Sequence, residues 1–129
     1  MTTVAVALIE RNSRILICQR RQDQSHPGKW EFPGGKAERN EDPREALARE
    51  LKEELGIDVI RAEERVSYEF QYPGKAPLRL VFFSVPAYAG HVDCSQFAAD
   101  RWVARKALAA YDFLEGDERI VRELSEDRH

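Results

Sequence analysis

The alternation of hydrophobic and polar positions predicts several strands along the chain. Apolar runs at residues 4–9 and 15–18 are separated by the turn-prone stretch RNSR, so they are expected to form a β-hairpin. Residues 66–72 (VSYEFQY) alternate strictly between apolar and polar, which is typical of a half-buried strand. The turn PGKAP then leads into a second long strand at 78–85 (LRLVFFSV), and DRWVA at 100–104 predicts a further short one.

The segment between Asp42 and Gly56 carries a complete set of helix boundary signals. Asp42 is a good N-cap, Pro43 suits the first helical position, and Glu45 stands three residues after the cap, as in a capping box. Gly56 supplies the C-terminal stop. These signals predict a helix that begins and ends at defined residues.

A second helix is predicted at about residues 116–125, where the apolar side chains fall on one face. Strands combined with two helices indicate an α/β or α+β class, with a mixed sheet packed between helices. The chain has 129 residues and no repeat or linker, so we expect a single domain over residues 1–129. Only the tail at 125–129 (SEDRH) looks dispensable for that domain.

Charge and cysteine usage exclude several classes of function. The net charge of −3 argues against binding to a nucleic-acid polymer or an anionic membrane. Cys18 and Cys94 lack C-x-x-C spacing and are expected to be reduced, and the histidines form no zinc pattern. The N-terminus is unlike a signal peptide, and no apolar run reaches the ~18 residues of a transmembrane helix. A cytoplasmic protein is therefore expected.

The predicted helix carries an acidic face formed by Glu50, Glu53 and Glu54. The apolar stripe beside this face consists of Leu47, Leu51 and Leu55. At helical spacing, Arg49 and Lys52 fall mostly on the other side of the face, so little positive charge is expected to oppose the three carboxylates. Carboxylates at this distance repel one another unless a cation lies between them.

Mg²⁺ is the cation that suits such a face, because it takes oxygen ligands and also binds substrate phosphates. An ordinary solvated charged face is the alternative. The metal site is favoured because Gly34 and Gly35 directly precede the helix segment, and glycine lets the backbone approach a ligand closely.

Residues 35–57 resemble the signature box of the Nudix hydrolases at every defined position. These positions are Gly35, Glu41, Arg49, Glu50, Leu51, Glu53, Glu54, Gly56 and Ile57. The stretch WEFPGGK and the order of strands and loops are similar to the MutT-type branch of that family. The resemblance implies a sandwich of a mixed sheet between helices, and hydrolysis of a nucleoside diphosphate linked to another group.

The resemblance also implies roles for individual residues. The implied metal ligands are the carbonyl oxygen of Gly34 and the carboxylates of Glu50, Glu53 and Glu54, with Mg²⁺ or Mn²⁺ as the ion. Glu53 or Glu50 would activate a water molecule for in-line attack at phosphorus. Arg49 would pair with neighbouring acids, and Glu41 would support the loop that leads into the helix.

Arg20, Arg21 and Lys36 flank this region and could contact phosphate oxygens, with Arg21 and Lys36 the candidates for that role, although one of the arginines can also cap a surface strand. By resemblance, Arg21 occupies the position that contacts the nucleotide in MutT-type enzymes. The aromatic residues are expected mainly in the core or on sheet faces, with one of them possible as a pocket wall. They are Phe70, Tyr72, Phe82 and Trp102.

Asp117 occupies the position where MutT-type sequences place an Asn that recognises the base. An ionised Asp only accepts hydrogen bonds, so it matches the adjacent N1–H and N2–H₂ donors of guanine, whereas cytosine requires a protonated Asp or a single bond. This favours guanine, including 8-oxoguanine. Relatives that prefer cytidine triphosphate also resemble the chain with Asp there, and an N-cap role is equally possible.

Gln96 departs from the family pattern, because MutT-type relatives carry a metal-site Glu there. An amide can bind a metal through its carbonyl oxygen, but it supplies no charge and cannot act as a general base. Asp93 and Asp100 are nearby acids that could compensate.

The leading hypothesis is a Mg²⁺-dependent nucleoside triphosphate pyrophosphohydrolase that removes 8-oxo-dGTP from the nucleotide pool and thereby protects DNA. A cytidine nucleotide (CTP, dCTP or 5-methyl-dCTP) or a nucleotide sugar is the alternative substrate. A non-catalytic nucleotide-sensing domain is the alternative of another class. The sequence leaves open whether the chain is a monomer or a homodimer.

Overall fold

A seven-stranded mixed sheet and two α-helices make up residues 1–126, the part of the chain that the computed structural model describes. In chain order the elements are β1 (Thr2–Arg11), β2 (Arg14–Gln19), β3 (Trp30–Glu31), β4 (Gly34–Lys36), α1 (Pro43–Leu55), β5 (Asp58–Phe70), β6 (Leu78–Ala89), β7 (Ala99–Ala104) and α2 (Glu118–Glu126). Short 3₁₀ helices at Arg105–Ala110 and Glu115–Asp117 lie between β7 and α2.

The predicted hairpin is present between β1 and β2. Arg11 pairs with Arg14, and the two residues between them, Asn12 and Ser13, have φ angles of 53° and 63°. Two successive residues in the left-handed region form the kind of turn whose twist suits a two-residue hairpin loop. The turn therefore fixes the register of β2 against β1.

Strand β1 is central because it has partners along both edges. It runs parallel to β6 along one edge, from Thr2↔Leu78 to Ile9↔Val85. On its other edge, β4 pairs with residues 4–6 and β2 pairs near the C-terminal end. The sheet is mixed, as predicted, and β4 is held directly against its central strand.

Strands β5 and β6 are longer than the sequence pattern predicts. β5 begins at Asp58 rather than at residue 66 and ends at Phe70, while β6 continues to Ala89. The pairing of β5 with β6 shifts register between Val59 and Arg61 and twice more before Val66. Each shift interrupts the alternation of side chains, which hides the first half of β5 from a search for period-two patterns.

The sheet separates two hydrophobic cores. Alternate residues of β1 point to opposite sides, with Ala5 and Ala7 in one core and Val6 and Leu8 in the other. The first core is closed by the leucine stripe of α1, which is fully buried. The second is closed by the apolar face of α2, which consists of Ile120, Val121 and Leu124. The predicted arrangement of a sheet between helices is confirmed.

Helix α2 begins after a 3₁₀ turn and includes part of the segment that looked dispensable. Ser125 and Glu126 belong to α2, and the Ser125 hydroxyl donates to the carbonyl of Arg105 at 3.3 Å. Residues 127–129 lie outside the described part of the chain. Within residues 1–126, no helix combines the length and the apolar character needed to cross a membrane.

Candidate active site

Helix α1 has the boundaries that its sequence predicts. The Asp42 side chain accepts a hydrogen bond from the Glu45 backbone N–H at 2.8 Å, and the Glu45 carboxylate accepts from the Asp42 N–H at 3.0 Å. Gly56 ends the helix in the left-handed region with φ 71°. This capping fixes where the acidic face begins and ends relative to the sheet.

Gly34 and Gly35 form a tight corner, in which Gly34 has no room for a side chain and Gly35 lies against the end of the Glu50 side chain. Gly34 has φ +152°, and a Cβ atom there would overlap the Ala5 carbonyl and lie 2.9 Å from Val6 Cα. A Cβ atom at Gly35 would overlap the carboxylate of Glu50, with Oε1 at 2.7 Å. The corner therefore brings the backbone of β4 into direct contact with the acidic face of α1.

Arg49 lies among the carboxylates, so the expectation that it faces away from them is wrong. Its guanidinium makes a bidentate pair with Glu41 at 2.8 and 2.9 Å and also contacts Glu50 at 2.9 Å and Glu53 at 3.4 Å. It further donates to the Lys36 carbonyl at 3.0 Å. A long arginine side chain reaches around the helix, and its position therefore does not follow from the angle of its Cα atom alone.

The pairing with Arg49 has a clear electrostatic effect on Glu41. The guanidinium, together with a hydrogen bond from the Glu38 backbone N–H, lowers the pKa of the Glu41 carboxyl to about 2. Glu41 is thus ionised throughout the physiological range and connects the loop before α1 to the helix through Arg49. These are the kinds of contact that the family resemblance implies for both residues.

The three glutamates of the acidic face differ in environment. Glu54 is partly buried and accepts a hydrogen bond from the Gly34 N–H at 3.1 Å. Burial, together with the nearby Glu31 and Glu50 carboxylates, raises the pKa of Glu54 to about 8. The side chain of Glu53 is 60% exposed, whereas that of Glu50 is 18% exposed. The face therefore runs from two partly buried acids at the glycine corner to an accessible one.

The donor chemistry of this face fits a hard divalent cation. Carboxylate oxygens crowd against a backbone corner, and burial, together with the neighbouring carboxylates, raises the pKa of Glu54, so a bound cation would stabilise its ionised form. Within residues 1–126, no three acidic, histidine or cysteine side chains converge closely enough to enclose an ion. Arg49 lies between Glu50 and Glu53, and Glu54 is bonded to the Gly34 N–H.

A cavity of about 250 Å³ opens beside the glycine corner. Its wall includes Gly34 and two predicted substrate residues, Lys36 and Asp117. Lys36 and Gly34 lie in the same short strand, β4, while Asp117 belongs to the 3₁₀ turn before α2. The remaining wall that matters for recognition is formed by Arg20, Glu31, Phe32, Tyr72 and Leu80. The cavity joins the acidic face to a largely apolar recess.

The two neighbouring arginines lie in different places. Arg20 lines the cavity and pairs with Glu31 through two contacts of 3.2 Å. Arg21 is exposed, pairs with Asp23 at 3.0 Å and donates to the Gln96 carbonyl at 3.3 Å. Arg21 is therefore near the loop that carries Gln96 and not in the cavity wall.

Gln96 is attached to α1. Its side-chain amide donates to the Glu53 backbone carbonyl at 2.9 Å, which places the loop beside the accessible end of the acidic face. The Asp93 carboxylate accepts from the Ser95 N–H at 3.0 Å within the loop, and Asp100 lies in β7. Gln96 thus has a positioning contact to the helix in this structure.

Asp117 is almost completely buried at the far end of the cavity, with 6% of its surface exposed. The Phe32 backbone N–H, next to the end of β3, acts on the carboxyl and offsets part of the effect of burial on its pKa. Burial, together with the charge of Glu31, raises the pKa of Asp117 to about 8. At pH 7 the carboxyl is therefore protonated, so the argument for guanine from an ionised Asp does not hold.

The buried carboxyl gives a prediction about stability. Because the folded-state pKa lies above the unfolded value of about 3.9, the folded protein binds the proton more tightly, and stability should fall as pH rises from about 4 to about 8. Asp117→Asn keeps an acceptor for the Phe32 N–H and removes the titration. In urea unfolding without nucleotide, the stability of the variant relative to the wild type should increase by about 4 kcal/mol from pH 5 to pH 9, because about three pH units at ~1.4 kcal/mol each separate pH 5 from the folded-state pKa. If the difference in stability between the variant and the wild type were the same at pH 5 and at pH 9, the prediction would be contradicted.

Sequence reasoning missed several residues of the cavity wall. Glu31 precedes the glycine corner by three positions in the stretch WEFPGGK, and this closeness in the sequence could have identified it as a residue of the site. Tyr72 was assigned mainly to the core or a sheet face, but it follows the end of β5 and lines the cavity. His26 also lines it, from a loop that shows no pattern.

Comparison with known proteins places these features in a family. A family model described as "NUDIX domain" matches residues 1–124. The chain is 35% identical over 117 residues to a CTP pyrophosphohydrolase of Escherichia coli K12, covering 91% of this chain and 86% of that protein. It is 32% identical over 127 residues to an 8-oxo-dGTP diphosphatase of Haemophilus influenzae, covering 98% and 93%. The solution structure of the E. coli ORF135 protein superposes with a TM-score of 0.83 at 34% identity, covering 95% and 86%.

Proposed function

Because the chain belongs to the NUDIX domain family, we propose that it hydrolyses nucleoside triphosphates to a monophosphate and pyrophosphate, with Mg²⁺ as cofactor and 8-oxo-dGTP as its leading substrate. The matches confirm the resemblance to the Nudix hydrolases and their MutT-type branch, and with it the enzyme class. The choice of 8-oxo-dGTP is supported by the Haemophilus influenzae relative. Removal of this nucleotide would keep an oxidised base out of DNA.

One observation carries the proposal: the acidic face of α1 meets the glycine corner at the edge of a cavity that has room for a base. The corner connects to the cavity through β4, whose residues Gly34 and Lys36 line it. A triphosphate has the same two parts, a highly charged chain that needs cations and an apolar ring with a polar edge. The distribution of charge along the site corresponds to that division.

The residues that would hold Mg²⁺ are Glu50, Glu53 and Glu54, with the Gly34 carbonyl. When bound, the ion supplies neutralisation of the polyphosphate and lowers the pKa of a water molecule. Glu53 is the most accessible of the three acids, so it is the one best placed to accept the proton of the attacking water. Lys36 is exposed at the rim and can approach a phosphate oxygen, while Arg49 holds the loop, the corner and the helix together.

A cytidine nucleotide is the second candidate substrate, and the protonated state of Asp117 is compatible with it. A protonated carboxyl offers one donor and one acceptor, which match N3 and N4–H₂ of cytosine. The same pair of groups also matches N1–H and O6 of guanine, so the neutral form accepts either base. The E. coli CTP pyrophosphohydrolase is the relative that supports this alternative.

The titration of Asp117 makes the base preference depend on pH. Ionisation above about pH 8 leaves only acceptors, which repel N3 of cytosine and suit the N1–H and N2–H₂ donors of guanine. The ratio of kcat/KM for dCTP to that for dGTP should therefore fall roughly threefold to fivefold between pH 6.5 and 8.5. In Asp117→Asn the ratio should stay constant, and a wild-type ratio that is also constant would rule out this reading of the base.

A substrate panel tests the proposed function. Purified protein with Mg²⁺, and in parallel with Mn²⁺, is given 8-oxo-dGTP, dCTP, 5-methyl-dCTP, the common triphosphates and ADP-ribose. We expect a monophosphate and pyrophosphate from at least one triphosphate. No monophosphate from any of them would refute the hydrolase proposal in favour of a nucleotide-sensing domain, and the highest kcat/KM for ADP-ribose would refute the triphosphate assignment.

The remaining expectations stay predictions. The single domain is predicted for residues 1–129, and the family match covers residues 1–124. A cytoplasmic location rests on the two free cysteines, Cys18 and Cys94. A monomer and a homodimer are both open.

A further inference from the structure

Two tyrosines bind the backbone of one residue, Gly116, which directly precedes Asp117. The Tyr68 hydroxyl donates to the Gly116 carbonyl at 2.7 Å, and the Tyr72 hydroxyl accepts from the Gly116 N–H at 3.1 Å. We call Tyr68 and Tyr72 the tyrosine pair. Both come from β5 or the residues directly after it, whereas Gly116 is in the 3₁₀ turn before α2. The pair therefore fixes that turn to the sheet.

The contact between the turn and the tyrosine pair leaves no spare room. A Cβ atom at Gly116 would lie 2.9 Å from the Tyr72 hydroxyl oxygen and 3.2 Å from Leu80 Cδ1. Real Cβ atoms essentially never approach a neighbour as closely as the first of these distances. Residue 116 is a glycine because its backbone packs directly against the side chains of Tyr72 and Leu80.

The rings that carry the two hydroxyls are themselves fixed by packing. The Tyr68 ring is stacked with Phe82 at a centroid distance of 5.4 Å, and the Arg119 guanidinium lies 4.5 Å from its centroid. The Tyr72 ring packs edge-on against Phe70 at 4.8 Å. Rigid rings make the hydroxyl positions well defined, which a flexible polar side chain would not.

Asp117 follows Gly116 directly, so the tyrosine pair acts on it through one peptide bond. The backbone N–H of Asp117 itself donates to the Leu114 carbonyl at 3.0 Å. Asp117 is thus located by two attachments, one through the Gly116 backbone before it and one at its own N–H. Removal of either attachment lets it shift relative to a base in the cavity.

We propose that the tyrosine pair is a specificity-determining element of the nucleotide site, whose hydroxyls place the Asp117 carboxyl against the base edge. The inference rests on the proposed function insofar as a base occupies the recess that Asp117 and Tyr72 line. Tyr68 and Tyr72 are positioning residues, since their hydroxyls bond Gly116 and act on the base through Asp117. Base discrimination then depends on two hydroxyls that need not touch the nucleotide.

The test removes one hydroxyl and keeps the ring. In Tyr72→Phe, the ring contacts with Phe70 and with His26, whose ring centroid is 5.0 Å away, can remain while the Gly116 N–H loses its acceptor. We expect KM for the preferred triphosphate to rise roughly 2- to 10-fold, the range for loss of one neutral hydrogen bond, with kcat almost unchanged. The preference between dCTP and dGTP should shrink by a similar factor.

The matched control is Tyr88→Phe, which also removes one phenol hydroxyl from a partly buried ring. Tyr88 is in β6 and packs against the core that α1 closes, on the side of the sheet opposite to the tyrosine pair. Its KM values and base preference should equal those of the wild type. If Tyr72→Phe lowers only thermal stability and leaves KM and the preference unchanged, the tyrosine pair is merely structural and the proposal is overturned.

A double-mutant cycle separates an effect through Asp117 from any other. If the Tyr72 hydroxyl acts by placing the carboxyl, its removal should have almost no further effect on base preference in an Asp117→Ala background. Fully additive losses would overturn the proposal.

Calorimetric binding of CMP and GMP distinguishes failure of this inference from failure of the proposed function. The wild type could turn over no triphosphate and still bind CMP and GMP with different affinities. If Tyr72→Phe reduced that difference, only the hydrolase proposal would be refuted. If the wild type binds neither monophosphate and turns over no triphosphate, the inference falls with the proposed function.

Discussion

Glu53→Gln is expected to lower kcat by roughly 10²- to 10⁴-fold, the range for loss of a general base, with little change in KM. The change keeps the size of the side chain and removes its charge and its basicity. Because the Glu53 side chain is 60% exposed and contacts Arg49 only at 3.4 Å, the fold should tolerate the change. Turnover of the best triphosphate under saturating Mg²⁺ and a thermal melt measure the two parts of this prediction.

Glu64→Gln provides the matched control for Glu53→Gln. Glu64 is exposed in β5, so its replacement makes the same change in net charge away from the acidic face. It should keep wild-type turnover. If Glu53→Gln retained more than about a tenth of the wild-type kcat, the general-base role would move to Glu50 or be abandoned.

Gly35→Ala is expected to lower kcat/KM by roughly 100-fold, because a displacement of about 1 Å at a reacting group can cost that much. The added methyl group would overlap the Glu50 carboxylate, and Glu50 must move because the backbone of β4 is paired with β1. Because the end of the flexible Glu50 side chain can turn aside, we expect a loss in stability of only about 1 kcal/mol or less. Steady-state kinetics and urea unfolding would measure both.

The cause of the Gly35 effect can be checked in a background that lacks the carboxylate. In Glu50→Ala, there is room for the methyl group, so adding Gly35→Ala should lower activity little further. An equally large additional loss would mean that the glycine is needed for another reason, such as direct contact of its backbone with substrate.

Helix α1 and the glycine corner could be predicted from the sequence because their determinants are local. Asp42, Glu45 and Gly56 act within one or two turns of the residues they cap, so their spacing alone fixes the helix. The two successive glycines likewise indicate close backbone approach without reference to the rest of the fold. The same local pattern carries the family resemblance.

The position of Arg49 could not be predicted from helical spacing. The angle of a Cα atom on a helix fixes the face of a short side chain, but an arginine can reach several ångströms around the helix toward charge. Here the carboxylates of Glu41, Glu50 and Glu53 provide that charge. The acidic face therefore contains its own cation, which pattern analysis placed elsewhere.

The protonation of Asp117 depends on contacts between distant parts of the sequence. The segment 112–114 pairs with Trp30, and this brings Asp117 against Phe32 and near Glu31. Neither the burial nor the second carboxyl is visible from the neighbours of Asp117 in the sequence. For this reason the sequence could suggest a base contact, but the ionised form that it assumed was wrong.

The attachment of the glycine corner to β1 separates chemistry from selectivity within one molecule. The glycine corner belongs to β4, which is paired with the central strand β1. The 3₁₀ turn that carries Asp117 is instead attached mainly through side chains and a few turn hydrogen bonds. Under the proposed function, substitutions around that turn would change which base is preferred without shifting the carboxylates proposed to hold Mg²⁺. A scaffold organised in this way can acquire new nucleotide preferences by small steps while its hydrolytic apparatus stays the same.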